Sequence, residues 1–356
     1  MKNVVLCFDG TGNEFGDANT NVVKLYATLD LTSPEQIAYY HPGLGTMGAP
    51  NALGKLRKWW TRQLGLAFGY GISRTIANGY AFIMENFEKD DRLFLFGFSR
   101  GAYIARALAS MLRMVGLLRA GDNELIAYAA RFLKRPEGRT WKLAAHFKGT
   151  FSRECKPHFV GVWDTVSSVG WIYDAVKFPY TAVNPDVAIG RHALSIDERR
   201  CFFRQNMWGE AGPAQNAKQA WFPGVHEDVG GGYPERESGL AKVSLEWMIR
   251  EASAAGLRID SEKRDRILGR SDGSFVAPDP LGLLHHSLKG LWWLLEFWPR
   301  RFYDTRFSPP AWRWKLPLAA ARWIPEGSTL HRTVLTRLAG QAYKPANLPQ
   351  EYVVED

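Results

Sequence analysis

A serine, a carboxylate and a histidine in the right order can carry out acyl transfer, and this chain offers one of each where an apolar run gives way to a turn. The serine is Ser99, in RLFLFGFSRGAYIARALASM, where Gly97, Ser99 and Gly101 form G-x-S-x-G. The pattern alone decides nothing, because Gly269, Ser271 and Gly273 in ILGRSDGSFVAPDP also satisfy it. A nucleophile elbow needs a buried strand running into the serine, a strained backbone at the serine and a helix leaving at once. The two glycines are then a steric requirement, since without side chains strand and helix approach closely enough to expose the hydroxyl above the sheet. Leu93 to Phe98 is a short apolar run of the buried-strand kind, and Ala102 to Leu118 is rich in Ala, Leu and Met with no proline. Ser271 follows the charged run SEKRDR and precedes Pro278 and Pro280, so it reads as a surface turn.

A serine attacks an acyl carbon when a base takes its proton, and a carboxylate fixes the tautomer of that base. On α/β-hydrolase sheets the chain order is serine, acid, histidine. Asp164 stands where the strand candidate His158 to Trp163 ends, in KPHFVGVWDTVSSVG; the bland alternative is a helix N-cap or loop carboxylate. Among eight histidines, His226 stands out in QAWFPGVHEDVGGGYP, where Pro223, Gly224 and three consecutive glycines make a tightly turned loop. His192, in IGRHALSIDERR, is the second candidate. His285 and His286 adjoin an aromatic segment, whereas His41, His146 and His158 precede Asp164 and break the order. A metal site of His226 with Glu227 and Asp228 is disfavoured, because no H-E-x-x-H or comparable cluster accompanies them. Oxyanion donors are expected from the amide of Arg100 and from Gly10 or Thr11 in FDGTGN, with Asp9 bracing that loop.

These residues need a scaffold in which loops gather at one edge of a sheet. Asn3 to Phe8, Ile37 to Tyr40, Leu93 to Phe98 and His158 to Trp163 read as strands. Asn21 to Leu29, Ile72 to Phe87, Ala102 to Leu118, Glu124 to Leu133 and Ser238 to Ala255 read as helices, with Asn19 or Thr20 as the cap of the first. The alternation implies βαβ units and an α/β, doubly wound, mostly parallel sheet. Prolines break the pattern repeatedly after Gly256, which places a soft boundary near residue 265. Residues 1–265 form the expected catalytic domain, and 266–356 form a helical or irregular appendage or lid that could pack with it as one domain.

Composition narrows the function. The 356 residues are 46% hydrophobic and carry a net charge of +9. Cys7, Cys155 and Cys201 have no C-x-x-C spacing, which excludes zinc ribbons and redox motifs and fits a reducing compartment. MKNVVLCFDGTGN reads as a first strand and not a signal peptide, so the chain is expected to be cytoplasmic where it is made. Gly43, Gly45 and Gly48 form a literal G-x-G-x-x-G, but Pro50 interrupts the helix that a dinucleotide site needs and no acid follows until Glu85. No cofactor is expected. Nor does the charge come with a nucleic-acid module. It clusters instead at Lys55, Arg57, Lys58, Arg62 and Arg74 beside Trp59 and Trp60. A second cluster lies in residues 289–323, where six of the 14 tryptophans interleave with Lys289, Arg300, Arg301, Arg306, Arg313, Lys315 and Arg322. Such a mixture suits a membrane surface or a bound polyanion. The alternative is a partly buried lid with its cations in solvent.

Six ordered motifs, LCFDGTGN, YYHPGLGT, LFGFSRGAYIAR, VGVWDTVSSVG, ALSIDERR and WFPGVHEDVGGGY, resemble a bacterial and fungal α/β-hydrolase family long catalogued as a domain of unknown function. That family includes the phospholipase effectors of type VI secretion, type one of the lipase-effector classes. The resemblance covers roughly residues 1 to 255. It implies a Ser-Asp-His triad falling on Ser99, Asp164 and His226, the residues chosen above. It also implies a lipid or phospholipid ester as substrate, a secretion-system or immunity partner, and delivery to another compartment without a signal peptide. Two other expectations compete: an esterase or deacetylase for small or sugar esters, and a non-catalytic membrane- or partner-binding protein that keeps the fold.

Overall fold

The computed structural model describes residues 1–10, 16–43, 68–133, 138–166, 170–171, 174–175, 178–304, 311–340 and 342–356. The chain begins with the strands β1 (Asn3–Phe8), β2 (Gln36–His41) and β3 (Arg92–Phe98), then a two-residue ribbon, β4 (Leu117–Leu118) with β5 (Ser152–Arg153). After β6 (Pro157–Trp163) comes a second short ribbon, β7 (Gly170–Trp171) with β8 (Asp174–Ala175), followed by β9 (Ile189–Ser195) and β10 (Asn216–Phe222). The tail holds the hairpin β11 (Arg300–Asp304) with β12 (Ala311–Lys315), then β13 (Ser328–His331) and β14 (Tyr352–Glu355). Eight of these strands form one sheet in the order β14-β13-β10-β9-β6-β3-β1-β2, and every pair in it is parallel. With helices on both faces this is a doubly wound, α/β-hydrolase-like architecture.

The side-chain alternation of a strand sorts the core into two layers. Val4, Leu6 and Phe8 of β1 face the helices Phe68–Asn86, Arg100–Val115 and Asn123–Phe132, whereas Val5 and Cys7 face Asn21–Thr28 and Gly239–Ala254. Burial on both faces explains why β1 and β3 read as unbroken apolar runs and not as alternating ones. A third cluster, Leu194, Ile196, Trp221, Ile324, Leu330 and Val334, joins β9 and β10 to the tail. The strands and helices named from sequence occur within a few residues of their expected ends, and Thr20 caps the first helix by accepting from the Val23 amide at 3.4 Å. The helix Gly138–Phe151 and strands β9, β10, β13 and β14 were not foreseen. Among the described residues no helix is long and apolar enough to cross a membrane. All three cysteines are buried and none is in a disulfide.

Topology positions the site. Phe98 and Trp163 are register partners at the ends of β3 and β6, so Ser99 and Asp164 leave the sheet side by side. The Ser99 amide donates to the Trp163 carbonyl at 3.0 Å, and the Asp164 amide to the Ala193 carbonyl of β9 at 2.7 Å.

Candidate active site

Ser99 has φ 58° and ψ −118°, a strained conformation for a residue with a side chain, and the helix Arg100–Val115 starts at the next residue. The flanking glycines earn their place by space. A Cβ on Gly97 would lie 2.5 Å from the Gly101 carbonyl carbon, and one on Gly101 would lie 2.1 Å from the Phe8 oxygen at the end of β1. Strand, turn and helix therefore meet at contact distances that only hydrogen atoms permit. The other G-x-S-x-G stretch has none of this, since Ser271 sits in an exposed irregular turn.

Asp164 is fully buried and also has positive φ, 39°. Its Oδ2 lies 2.5 Å from His226 Nδ1. A carboxylate that accepts four hydrogen bonds has no proton to give, so the hydrogen of this bond sits on Nδ1, and in the neutral ring that tautomer leaves Nε2 as the acceptor. His226 opens the short helix His226–Gly230 after β10, and its ring lies between Phe98 and Phe203, with centroids 4.6 and 4.7 Å away. Phe98 immediately precedes Ser99, so the contact holds the imidazole beside the elbow. Gly230 makes room for it, because a Cβ there would fall 1.9 Å from the Phe98 ring. The His226 amide donates to Glu198 Oε2 at 3.2 Å, and Glu198 is fixed in turn by Arg200 and by the Ser287 hydroxyl.

The remaining bonds to Asp164 come from outside the expected triad. Arg322 grips the carboxylate with two donors, Nη1 to Oδ1 at 2.5 Å and Nη2 to Oδ2 at 2.9 Å, and the Ser195 amide donates to Oδ1 at 3.0 Å. Burial alone would raise the Asp164 carboxyl. The charge of Arg322, with the hydrogen bond from His226, overrides it and holds the group far below the usual carboxylate range. Arg322 was counted from sequence among the surface cations of residues 289–323. It is instead buried, and also donates to Ser195 Oγ at 2.7 Å and to the Phe203 carbonyl.

The other expected residues sort themselves by their partners. His192 is fully buried, accepts from the Thr165 amide on Nε2 at 3.1 Å and faces Gln219 Oε1 with Nδ1 at 3.3 Å. Burial, aided by the charge of Arg106, pushes it down to about 3, so it is a neutral brace under the Asp164 turn with both nitrogens engaged. His285 lies between Asp228 and Glu237, stacked on Tyr233. The Arg100 amide stands at the helix start beside Ser99. The Gly10 amide donates to its neighbour Asp9 Oδ1 at 2.6 Å, and Thr11 lies outside the described residues. Asp9 also takes hydrogen bonds from the Thr20 and Tyr40 hydroxyls and braces the end of β1. Among the described residues no group of His, Cys, Asp and Glu is arranged to hold a metal. A cleft of about 320 Å³ lined by Trp247, Arg250, His331 and Thr336 includes none of Ser99, Asp164 and His226.

Sequence reasoning missed Arg322, Glu198 and Phe203. Glu198 lies in the ALSIDERR motif, and Arg322 is the lone charge in the otherwise apolar run LPLAAARWI, a placement that calls for a buried partner.

Residues 2–251 match the family described as T6SS, phospholipase effector Tle1-like, catalytic domain. The chain belongs to this family. Over 221 residues it is 42% identical to the uncharacterized protein YEL023C of Saccharomyces cerevisiae, a match covering 57% of this chain and 32% of that one. It therefore spans about a third of that relative's length. Two solved structures are similar to it. One is an uncharacterized protein from Pseudomonas aeruginosa, with 19% identity, a TM-score of 0.42, and coverage of 74% of this chain and 47% of the other. The second is the Tle1 effector bound to the VgrG spike of the type 6 secretion system, with 20% identity, a TM-score of 0.36, and coverage of 67% and 52%.

Proposed function

We propose that the chain is a serine hydrolase of acyl esters, with a lipid or phospholipid ester as substrate. The observation that carries this reading is the His226–Asp164 hydrogen bond beside a strained serine elbow. In the reaction His226 Nε2 takes the Ser99 hydroxyl proton as Oγ bonds to the acyl carbon. The carbonyl electron pair moves onto the oxygen, where the Arg100 amide and a donor from the loop after β1 receive it. Collapse expels the alcohol, which takes the proton from His226 and leaves an acyl-Ser99. Water repeats the sequence and frees the acid. Asp164 keeps the Nδ1 hydrogen in place throughout.

A lipid substrate is favoured by the surface around the site. Trp293, Leu294, Phe297, Trp298, Trp314 and Trp323 are each more than 40% exposed, and Arg313 and Lys315 lie among them. Exposed aromatic and aliphatic side chains interleaved with cations along one segment suit a headgroup interface. The same segment reaches the base, because Trp292 packs edge-on against Phe203, which covers His226. We therefore assign residues 289–323 as a lid and interfacial contact. A secretion-system partner, as for the Tle1 effector found on the VgrG spike, belongs to the same reading. The test compares hydrolysis of anionic phospholipid vesicles with that of a soluble short-chain ester, for the wild type and for Trp293→Ala with Trp298→Ala. Loss on vesicles with the soluble ester spared supports the lipid reading. Equal losses on both reject the interfacial role, and ester turnover with no vesicle hydrolysis by the wild type moves the substrate to small esters.

A further inference from the structure

We infer that Arg322 is a positioning residue of the hydrolytic site, which locks the Asp164 carboxylate and balances its charge from the tail of the chain. The inference rests on the serine-hydrolase reading above. Asp164 accepts from Ser195 N and Arg322 Nη1 on Oδ1, and from His226 Nδ1 and Arg322 Nη2 on Oδ2, so its four lone-pair directions are all used. Two of the four donors are one planar guanidinium, whose fork fixes the carboxylate plane and with it the direction of the bond to His226. The guanidinium is itself held rigidly, by the Ser195 carbonyl and hydroxyl and by the Phe203 carbonyl, while Asn347 donates to the Arg322 carbonyl. Along the chain Arg322 points in, Trp323 points out at 59% exposure, and Ile324 enters the third core cluster. The segment that carries the exposed aromatics is thus tied directly to the acid.

Charge balance gives the inference a readout beyond folding. With Arg322 in place the charge of the buried Asp164 carboxylate is balanced, and Glu198, the other carboxylate that faces His226, is paired with Arg200. Without it, the unbalanced Asp164 charge favours the imidazolium, and higher pH is needed to free the base. The measurement is the rate of Ser99 labelling by a fluorophosphonate across pH 5 to 9, for the full chain and for Arg322→Met and Arg322→Lys, with circular dichroism as the fold control. We expect Arg322→Met to lose roughly tenfold or more in plateau rate and to shift the acid limb upward by about one pH unit. Arg322→Lys, which keeps the charge and loses the fork, should hold the acid limb near its wild-type position while the plateau falls. Folded variants with wild-type rates and limbs overturn the inference, as does loss of the fold in both, which assigns Arg322 to folding alone. If only Arg322→Met unfolds, Arg322→Lys decides by its plateau. Absence of label on the wild type sinks the hydrolase reading itself, so the two failures are distinguishable.

Discussion

Gly101→Ala tests the elbow most sharply, because the structure sets the size of the clash. The new methyl would stand 2.1 Å from the Phe8 oxygen and 2.6 Å from the Asp9 oxygen. Ordinary carbon–oxygen contacts are about 3.3 Å or longer, so either the helix or the end of β1 must retreat by about 1 Å. Both obstacles are backbone atoms, one at the end of β1 and one just after it, and cannot swing aside as a flexible side chain would. Overpacking of this kind costs about 3 kcal/mol, the upper part of its usual range. For a chain of 356 residues that lowers Tm by about 4 °C. The retreat also moves Ser99 relative to His226 and to the loop after β1, and a displacement of about 1 Å costs about 100-fold in rate. The assay pairs a thermal melt with the fluorophosphonate labelling rate. Gly149→Ala is the control, since a Cβ there meets nothing within 4 Å and removes a glycine from the helix Gly138–Phe151, a gain of about 0.5–1 kcal/mol. If Gly101→Ala melts and reacts like Gly149→Ala, the close approach is not a requirement of the site and the elbow argument is wrong.

Three other outcomes follow from the same contacts. Asp164→Asn should lower the hydrolytic rate by about 10⁴, because its amide cannot accept from Arg322, Ser195 and His226 together; a loss of less than tenfold in a folded variant would contradict the orienting role. Burial pushes His331 down to about 4, so the unfolded chain, with histidine near about 6.5, binds its proton first as pH falls. Stability is then whole above about pH 6.5 and declines toward pH 4 by up to about 1.4 kcal/mol per unit for this residue, a slope that urea melts should find reduced in His331→Gln and that an unchanged slope would refute. Glu235 bridges the buried ammonium groups of Lys24 and Lys242 at 2.7 and 2.9 Å, so Glu235→Gln should cost about 3–5 kcal/mol; a loss below about 1 kcal/mol, read in the same melts, would show that water already compensates the lysines.

The sheet centre was legible because burial on both faces writes itself as short apolar runs. VVLCF in β1 and LFLFGF in β3 need no tertiary information to read. The outer strands lack that signature. NAKQAWF in β10 is polar for half its length, and STLH and YVVE are short enough to pass as loops. Ser99, Asp164 and His226 were legible for a related reason: each follows an apolar run, and each sits in a turn marked by glycine, by strain or by a following helix. Arg322 carries no local mark of its role. Its partner Asp164 is 158 residues away, and composition alone grouped it with cations that face solvent. Gly10 shows another limit, since the sequence places it directly after β1 but carries no mark of the hydrogen bond its amide makes to Asp9.

The central claim is that Ser99 is an activated nucleophile. The direct measurement is fluorophosphonate labelling of the purified chain, with and without phospholipid vesicles, followed by mass-spectrometric mapping of the modified residue and Ser99→Ala in parallel. Stoichiometric label on Ser99, absent from the variant and strongly slowed in His226→Ala, is the predicted result. Label on another serine, or none on Ser99 under either condition, would contradict the account and favour a binding protein built on a hydrolase fold.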